Sequence, residues 1–209
     1  MLKSIRILLI IIITYGVLPL TYLQAADDGF RITPSIGLDY SYKYKQSLFK
    51  PTVDIDLTYL FPNRLELGVG VGYMHDILYA DSGTVATLQG QDRSFNEWKK
   101  DSYPIYAVVK YSFDVNETDD IVVALKYGWL YANKGSSWVN DDGSLQGFEM
   151  QNRFMADLSI GYELNNTIFS LDFRAVSYTQ HFYLNEDEVN QKQYNGYFGL
   201  SVQHRFDLF

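Results

Sequence analysis

From Phe30 almost to its last residue, the chain alternates apolar and polar residues with a period of two, and that restricts it to β-strands. In the first run Phe30, Ile32, Pro34, Ile36, Leu38, Tyr40, Tyr42 and Tyr44 share one face, while Arg31, Thr33, Ser35, Gly37, Asp39, Ser41 and Lys43 share the other. Seven more runs follow: Thr52 to Phe61, Arg64 to Tyr79, Ser102 to Phe113, Ile121 to Ala132, Asn152 to Leu164, Thr167 to about Phe182, and one from about Lys192 to the C-terminus. Short connections (Pro62-Asn63, Asp114 to Asp120, Asn165-Asn166) interleave strictly with longer ones (Lys45 to Lys50, Ala80 to Asp101, Asn133 to Gln151, Tyr183 to Lys192). Such a rhythm is that of a meander whose two ends face different compartments.

Alternation alone suits a water-soluble β-sandwich as well as a membrane barrel, so the sorting of charge has to decide. No Asp, Glu, Lys or Arg stands on any of the eight apolar faces. The opposite faces mix Lys43, Lys110, Lys126, Arg153, Arg174 and Arg205 with Asp39, Asp54, Asp56, Glu66, Asp76, Asp157, Glu163, Asp172 and Asp207, and are rich in Gly and Ser. A sandwich surface in water favours long Lys and Glu chains; intermixed opposite charges among small residues suit an enclosed polar lumen. The apolar face then meets lipid, where a charge costs ~2 to 4 kcal/mol at the bilayer midplane. Runs of about 10 to 16 residues exceed the ~9 to 11 that a tilted strand needs to cross. The expected fold is all-β: an eight-stranded antiparallel up-and-down transmembrane β-barrel.

The N-terminus is read separately. Lys3 and Arg6 precede an apolar run from Ile7 to Leu20, interrupted by Gly16 and Pro19, and Ala25 stands before Ala26-Asp27-Asp28. A charged start, an apolar stretch and a small residue at the cut predict a secretory signal peptide over residues 1–25, leaving residues 26–209 as the barrel. The absence of cysteine excludes disulfides, thiol nucleophiles, Cys-ligated metals and a lipid-anchored cysteine. Seventeen basic against 25 acidic residues, with no basic stripe, argue against nucleic acid as a partner. Eighteen Tyr are many for a chain of mean hydropathy -0.15. Most fall on the apolar faces near strand ends, where amphipathic rings form interfacial girdles.

In this pattern the chain resembles the small eight-stranded outer-membrane barrels, the group that includes OmpX, the OmpA membrane domain and the opacity-like adhesins. The resemblance spans the whole predicted mature chain and rests on pattern, not on a specific motif. It implies residence in the outer membrane among lipid and lipopolysaccharide, as a monomer. It also implies recognition by the barrel-assembly machinery through a C-terminal aromatic, either Phe209 or, because parity puts it on the lipid face, Phe206. No periplasmic domain is expected after the eighth strand.

Eight strands enclose a space just wide enough for side chains. Asp54, Asp56, Glu66, Lys110, Lys126, Arg153, Asp157, Asp172, Arg174 and Arg205 are therefore candidates for lumenal ion pairs that plug it. The strip Gly68-Gly70-Gly72 leaves room for an inward Tyr106 or Tyr178, or else for a narrow channel. Some barrels of this size modify lipid A, but the triplets His75-Asp76-Ile77, His181-Phe182-Tyr183 and His204-Arg205-Phe206 lack the His-x-Ser pair of the deacylases. His75 and His204 are expected to be neutral at the lipid interface. A hydrolase would need His181 beside Ser177 and Glu186. Asn185-Glu186-Asp187-Glu188 lacks the spacing of a calcium loop and is expected to be a solvated tip. No enzyme activity, cofactor or metal is expected. Specificity is placed in the loops, where Phe95, Trp98, Lys99, Lys100, Trp138 and Phe148 combine aromatic and charged character. The expected role is structural or adhesin-like, toward a host or cell-surface ligand, with a lipid A enzyme and a narrow channel as alternatives.

Overall fold

A computed structural model describes residues 29–41, 49–80, 83–86, 92–95, 98–116, 119–132, 147–184 and 187–208. Eight long strands make the wall: β1 Gly29–Tyr40, β2 Phe49–Leu60, β3 Leu65–Ala80, β4 Trp98–Asp114, β5 Asp119–Tyr131, β6 Gly147–Leu164, β7 Thr167–Leu184 and β8 Asp187–His204. Each pairs antiparallel with the next, and β8 pairs with β1, so the sheet closes on itself. Closure leaves no sheet edge, the condition for placing strands in hydrocarbon. The short stretch Phe206–Asp207 prolongs the seam beside Ile32 and Arg31.

The register fixes the barrel's shape. Partners followed once around the wall run Arg31, Thr58, Gly68, Val108, Lys126, Asp157, Arg174 and Tyr197. Since Tyr40 pairs with Phe198, this line re-enters β1 at the level of position 41, ten residues beyond its start at position 31. For eight strands that stagger corresponds to a tilt of ~35 to 45° and an interior filled by side chains.

Sequence explains the tight turns at the end that holds both described termini. Asn165 and Asn166 take positive φ of 49° and 64°, the pattern of a two-residue type I′ hairpin, which Asn accepts and β-branched residues do not. In the first turn Arg64, at φ 66°, donates its amide to the Phe61 carbonyl at 2.9 Å. At the opposite end the long connections begin. Within the connection between β3 and β4, Gly83–Ala86 pairs with Asp92–Phe95 as a separate hairpin.

The barrel is inside out relative to a protein in water: Leu125 is 53% exposed on the outer wall, whereas its neighbour Lys126 is 5% exposed inside. Parity assigns faces correctly along most of each strand and fails at a bulge. Ile77, expected on the outer face, is fully buried, because Asp76 takes φ 48° and the β3–β4 register slips between Met74 and Leu78. A second slip lies between Gln151 and Phe154, where Asn152 has φ 48°. The strands also run further than their apolar stripes. Residues 98–101, 147–151 and 187–192, expected as loop, are strand. There the ladder continues although no lipid face imposes alternation; Gln151, Asn152, Asn190, Gln191 and Lys192 are all exposed. Residues 1–28, with the expected signal peptide, lie outside the described residues, as do residues 133–146 and 185–186.

Candidate functional site

The lumen holds two charged layers. Nearest the termini, Arg205 contacts Glu66 at 2.9 Å, pairs with Glu163, and donates to the Ser112 hydroxyl at 3.1 Å. Arg31 bridges the seam, 3.0 Å from Glu66 and 2.6 Å from Asp207, and Thr58 donates to Glu66 at 2.8 Å. Glu66 is thus held by two guanidiniums and a hydroxyl, as a wholly buried carboxylate must be if it is to stay ionised.

A second layer lies further in. Asp56, on β2, meets Lys110 at 2.8 Å and Lys126 at 3.3 Å and accepts a hydrogen bond of 2.7 Å from the Tyr106 hydroxyl. Lys126 also reaches Asp54 at 3.7 Å and lies over the Tyr106 ring, 4.9 Å from its centroid. Across the lumen Arg174 holds Asp157 through Nε at 2.9 Å and Nη2 at 2.6 Å, and pairs with Asp39 through Nη1. Tyr106 fits because β3 opposite is glycine: a Cβ on Gly70 would stand 2.4 Å from the Tyr106 ring and 2.6 Å from Asp56 Oδ1. At Gly70 the glycine strip therefore accommodates a side chain, that of Tyr106.

Towards the long connections the filling changes character. Met74, Ile77, Leu78, Val108, Leu130, Met150, Met155, Val176, Tyr178 and Tyr197 join Tyr106 in one buried apolar cluster. Tyr197 donates its hydroxyl to the Ile77 carbonyl at 2.5 Å. Beyond the charged layers the filling is mixed: apolar side chains join the polar ones at inward positions, with Lys50, Ser102, Gln180 and Asn195 also buried at this end. Met and Tyr adapt to such irregular space, Met through its flexible thioether and Tyr by sending its hydroxyl to a carbonyl.

Outside, aromatic pairs mark two belts. Near the termini Phe30 and Tyr59 are 5.2 Å apart, Tyr59 and Phe61 5.0 Å, and Tyr111 and Phe113 4.7 Å. Towards the other end stand Tyr40 with Phe49, Tyr73 with Tyr103, Trp129 with Phe154, and Phe173 with Phe198. Between the belts the wall is aliphatic and exposed at Leu57, Val69, Ile105, Leu125, Ile160 and Leu200. An apolar band between two aromatic rings is the exterior of a membrane barrel.

No protein-family model matches the chain, and no curated protein sequence does. Among solved structures, the outer membrane protein OprG from Pseudomonas aeruginosa aligns over 88% of this chain and 98% of its own, at 10% identity and a TM-score of 0.51. The chain has the fold of the small outer-membrane β-barrels. Neisserial surface protein A also aligns, over 88% of this chain and 100% of its own at 13% identity and TM-score 0.45. Yersinia pestis Ail does so over 84% and 99%, at 17% and 0.36.

On this barrel, nine of the ten lumenal candidates lie in the two layers. Asp172 is buried there but bonds to Ser201 and not to a base. Arg153 stands apart, half-buried beside the second bulge, donating to the Ala132 carbonyl at 3.1 Å. Two lumenal acids, Asp39 and Glu163, and the bridging Arg31 complete the pairing; parity marks all three as inward. Of the loop candidates, Phe95 falls in the small hairpin, Trp98, Lys99 and Lys100 begin β4, Phe148 begins β6, and Trp138 lies outside the described residues. Their expected place on loops is thus corrected for the three β4 residues and Phe148. His181 is buried with its Nδ1 2.5 Å from Asn190 Oδ1, and His204 contacts the Thr167 hydroxyl at 2.9 Å and packs against Phe206 on the wall.

Proposed function

We propose that the protein is an outer-membrane barrel with a sealed lumen that acts at the cell surface, in a structural or adhesin-like role. The observation that carries this is the filling of the lumen. Among the described residues the lumen is filled by paired charges and by buried apolar side chains, which favours a surface role over transport. The wall itself supports the same reading. Strands β6, β7 and β8, at 18 residues each, are far longer than the ~9 to 11 a crossing takes. The outer ends of β6 and β8 carry exposed Gln151, Asn152, Asn190 and Gln191, so this side of the barrel stands above the apolar band.

In this reading residues 1–25 export the chain and are removed. Phe209 or Phe206 is read by the assembly machinery, and the barrel sits as a monomer among lipid and lipopolysaccharide. The connections between β3 and β4 and between β5 and β6, with Phe95, Trp98, Lys99, Lys100, Trp138 and Phe148, contact a host or cell-surface ligand. Deletion of residues 84–98 or 136–148 tests this. The variants should retain barrel folding and lose attachment of expressing cells to surfaces that intact cells bind. Unchanged attachment across a panel of glycan, matrix and cell surfaces would refute the adhesin-like role, and steady conductance of the intact barrel in planar bilayers would refute the seal.

A further inference from the structure

The β3 bulge does more than turn Ile77 inward. It brings His75 and Asp76 of β3 against Asp101 of β4 on the outer wall, so that one ligating atom from each lies within 4.8 Å of the other two. His75 Nδ1 is 2.8 Å from Asp101 Oδ1 and 3.2 Å from the Tyr73 hydroxyl. Because a carboxylate only accepts, Nδ1 is the nitrogen that carries the proton. The same Asp101 oxygen accepts the Asp76 amide at 3.1 Å, so one carboxylate pins both neighbouring residues. From inside the barrel Lys50 donates to the Asp76 carbonyl and holds the bulge from its other side.

With Nδ1 protonated, His75 Nε2 presents its lone pair, and it lies 3.6 Å from Asp76 Oδ2. Two lone-pair atoms held at that distance repel, and a cation between them, a proton or a metal ion, relieves the repulsion. A metal ion ~2.0 to 2.1 Å from each would subtend an angle of about 120°, close to the tetrahedral value. The remaining positions open outward, since the His75 side chain is 46% exposed. Imidazole with carboxylate favours Zn²⁺ and its transition-metal neighbours over Ca²⁺ or Mg²⁺, which prefer all-oxygen sites. Histidine oriented by a carboxylate on its other nitrogen is the usual support of such a ligand.

We propose that His75 and Asp76 bind a divalent metal ion of the zinc class at the outer rim of the barrel, with Asp101 as the residue that positions both ligands. The ion would brace the bulge of β3, which Asp101 of β4 holds, at the base of the connection between these two strands. In this proposal the neutral imidazole expected of His75 gains a ligand role.

Full-length protein refolded in detergent micelles, titrated calorimetrically with Zn²⁺, Ca²⁺ and Mg²⁺ at about pH 8 to limit proton competition, tests this. The expected result is one Zn²⁺ per chain. Affinity should fall about tenfold or more in His75→Gln and Asp76→Asn, and about 10- to 100-fold in Asp101→Asn, while His181→Ala and His204→Ala bind as wild type does. Asn accepts the positive φ at position 76, so the bulge survives that change. Gel mobility with and without heating confirms that each variant folds. Zn²⁺ should also protect the wild type, and not Asp76→Asn, against urea. Absence of stoichiometric Zn²⁺ binding, binding that survives His75→Gln or Asp76→Asn, or equal binding of Ca²⁺ would overturn the proposal.

Discussion

Replacing Asp56 by Asn removes one charge from the most enclosed point of the lumen while keeping side-chain size. Asp56 is fully buried, 2.8 Å from Lys110 and 3.3 Å from Lys126, and accepts the Tyr106 hydroxyl at 2.7 Å. At an effective dielectric of 20 each contact with a lysine is worth about 5 to 6 kcal/mol before desolvation, which offsets most of it. What Asp56→Asn leaves behind decides the cost. Lys110 and Lys126 stay buried with a single nearby carboxylate fewer, and stranding a buried charge costs ~3 to 5 kcal/mol. With two bases affected, the upper part of that range is expected, a change of about a thousandfold in the folding equilibrium. Urea titration in lipid vesicles, followed by tryptophan fluorescence and by gel mobility with and without heating, measures it. The double variant Asp56→Asn/Lys110→Met removes the stranded lysine and should recover more than half of the loss, because Lys126 keeps Asp54 at 3.7 Å. A loss under about 1 kcal/mol for the single variant, or strictly additive losses in the double, would refute the claim that these charges hold one another in the lumen.

Gly70→Ala should cost ~1 to 3 kcal/mol by pressing a methyl group into the Tyr106 ring and Asp56, and the same unfolding assay should show the loss shrink when Tyr106 is also made Leu. On the outer wall, Leu125→Arg, midway between the belts, should cost ~2 to 4 kcal/mol, whereas Phe113→Arg at the lower belt should cost ~0 to 1; equal costs would mean that the aliphatic band does not meet hydrocarbon. Arg174→Met should cost ~3 to 5 kcal/mol, since Asp39 and Asp157 lose their shared guanidinium, and it should open no steady conductance, because the buried apolar cluster stays in place.

Sequence parity was enough to sort inner from outer residues in the regular parts of all eight strands, because lipid on one side and a packed lumen on the other punish every misplaced charge. It lost its grip where that pressure stops. At Asp76 and Asn152 a positive φ inserts a bulge, and neither residue differs on its face from any other polar strand residue. In residues 187–192 the strand continues beyond the apolar band, so its polar sequence looks like a loop. Inward Met74, Leu130 and Met155 read as exceptions to a polar face and Met150 as loop, although all four join one buried apolar cluster. Ion-pair partners were legible by type and not by pairing, since the ten-residue stagger decides that Arg174 meets Asp39 across the seam. The His75 cluster was invisible for the same reason: Asp101 reaches His75 only through the β3–β4 register.

The central claim is that the uncharged face of this sheet meets lipid and the charged face is sealed inside. The chain has no cysteine, so single cysteines can be placed along β5 without background. Each of positions 121 to 127 except Lys126 is labelled with a small fluorophore, and quenching by nitroxide lipids and by a water-soluble quencher is measured in vesicles. Labels at Ile121, Val123, Leu125 and Tyr127 should be quenched by lipid, most strongly at Leu125, while Val122 and Ala124, buried inside, should respond to neither quencher. Loss of the two-residue alternation, or access of the aqueous quencher to Val122 and Ala124 in the folded protein, would contradict the account.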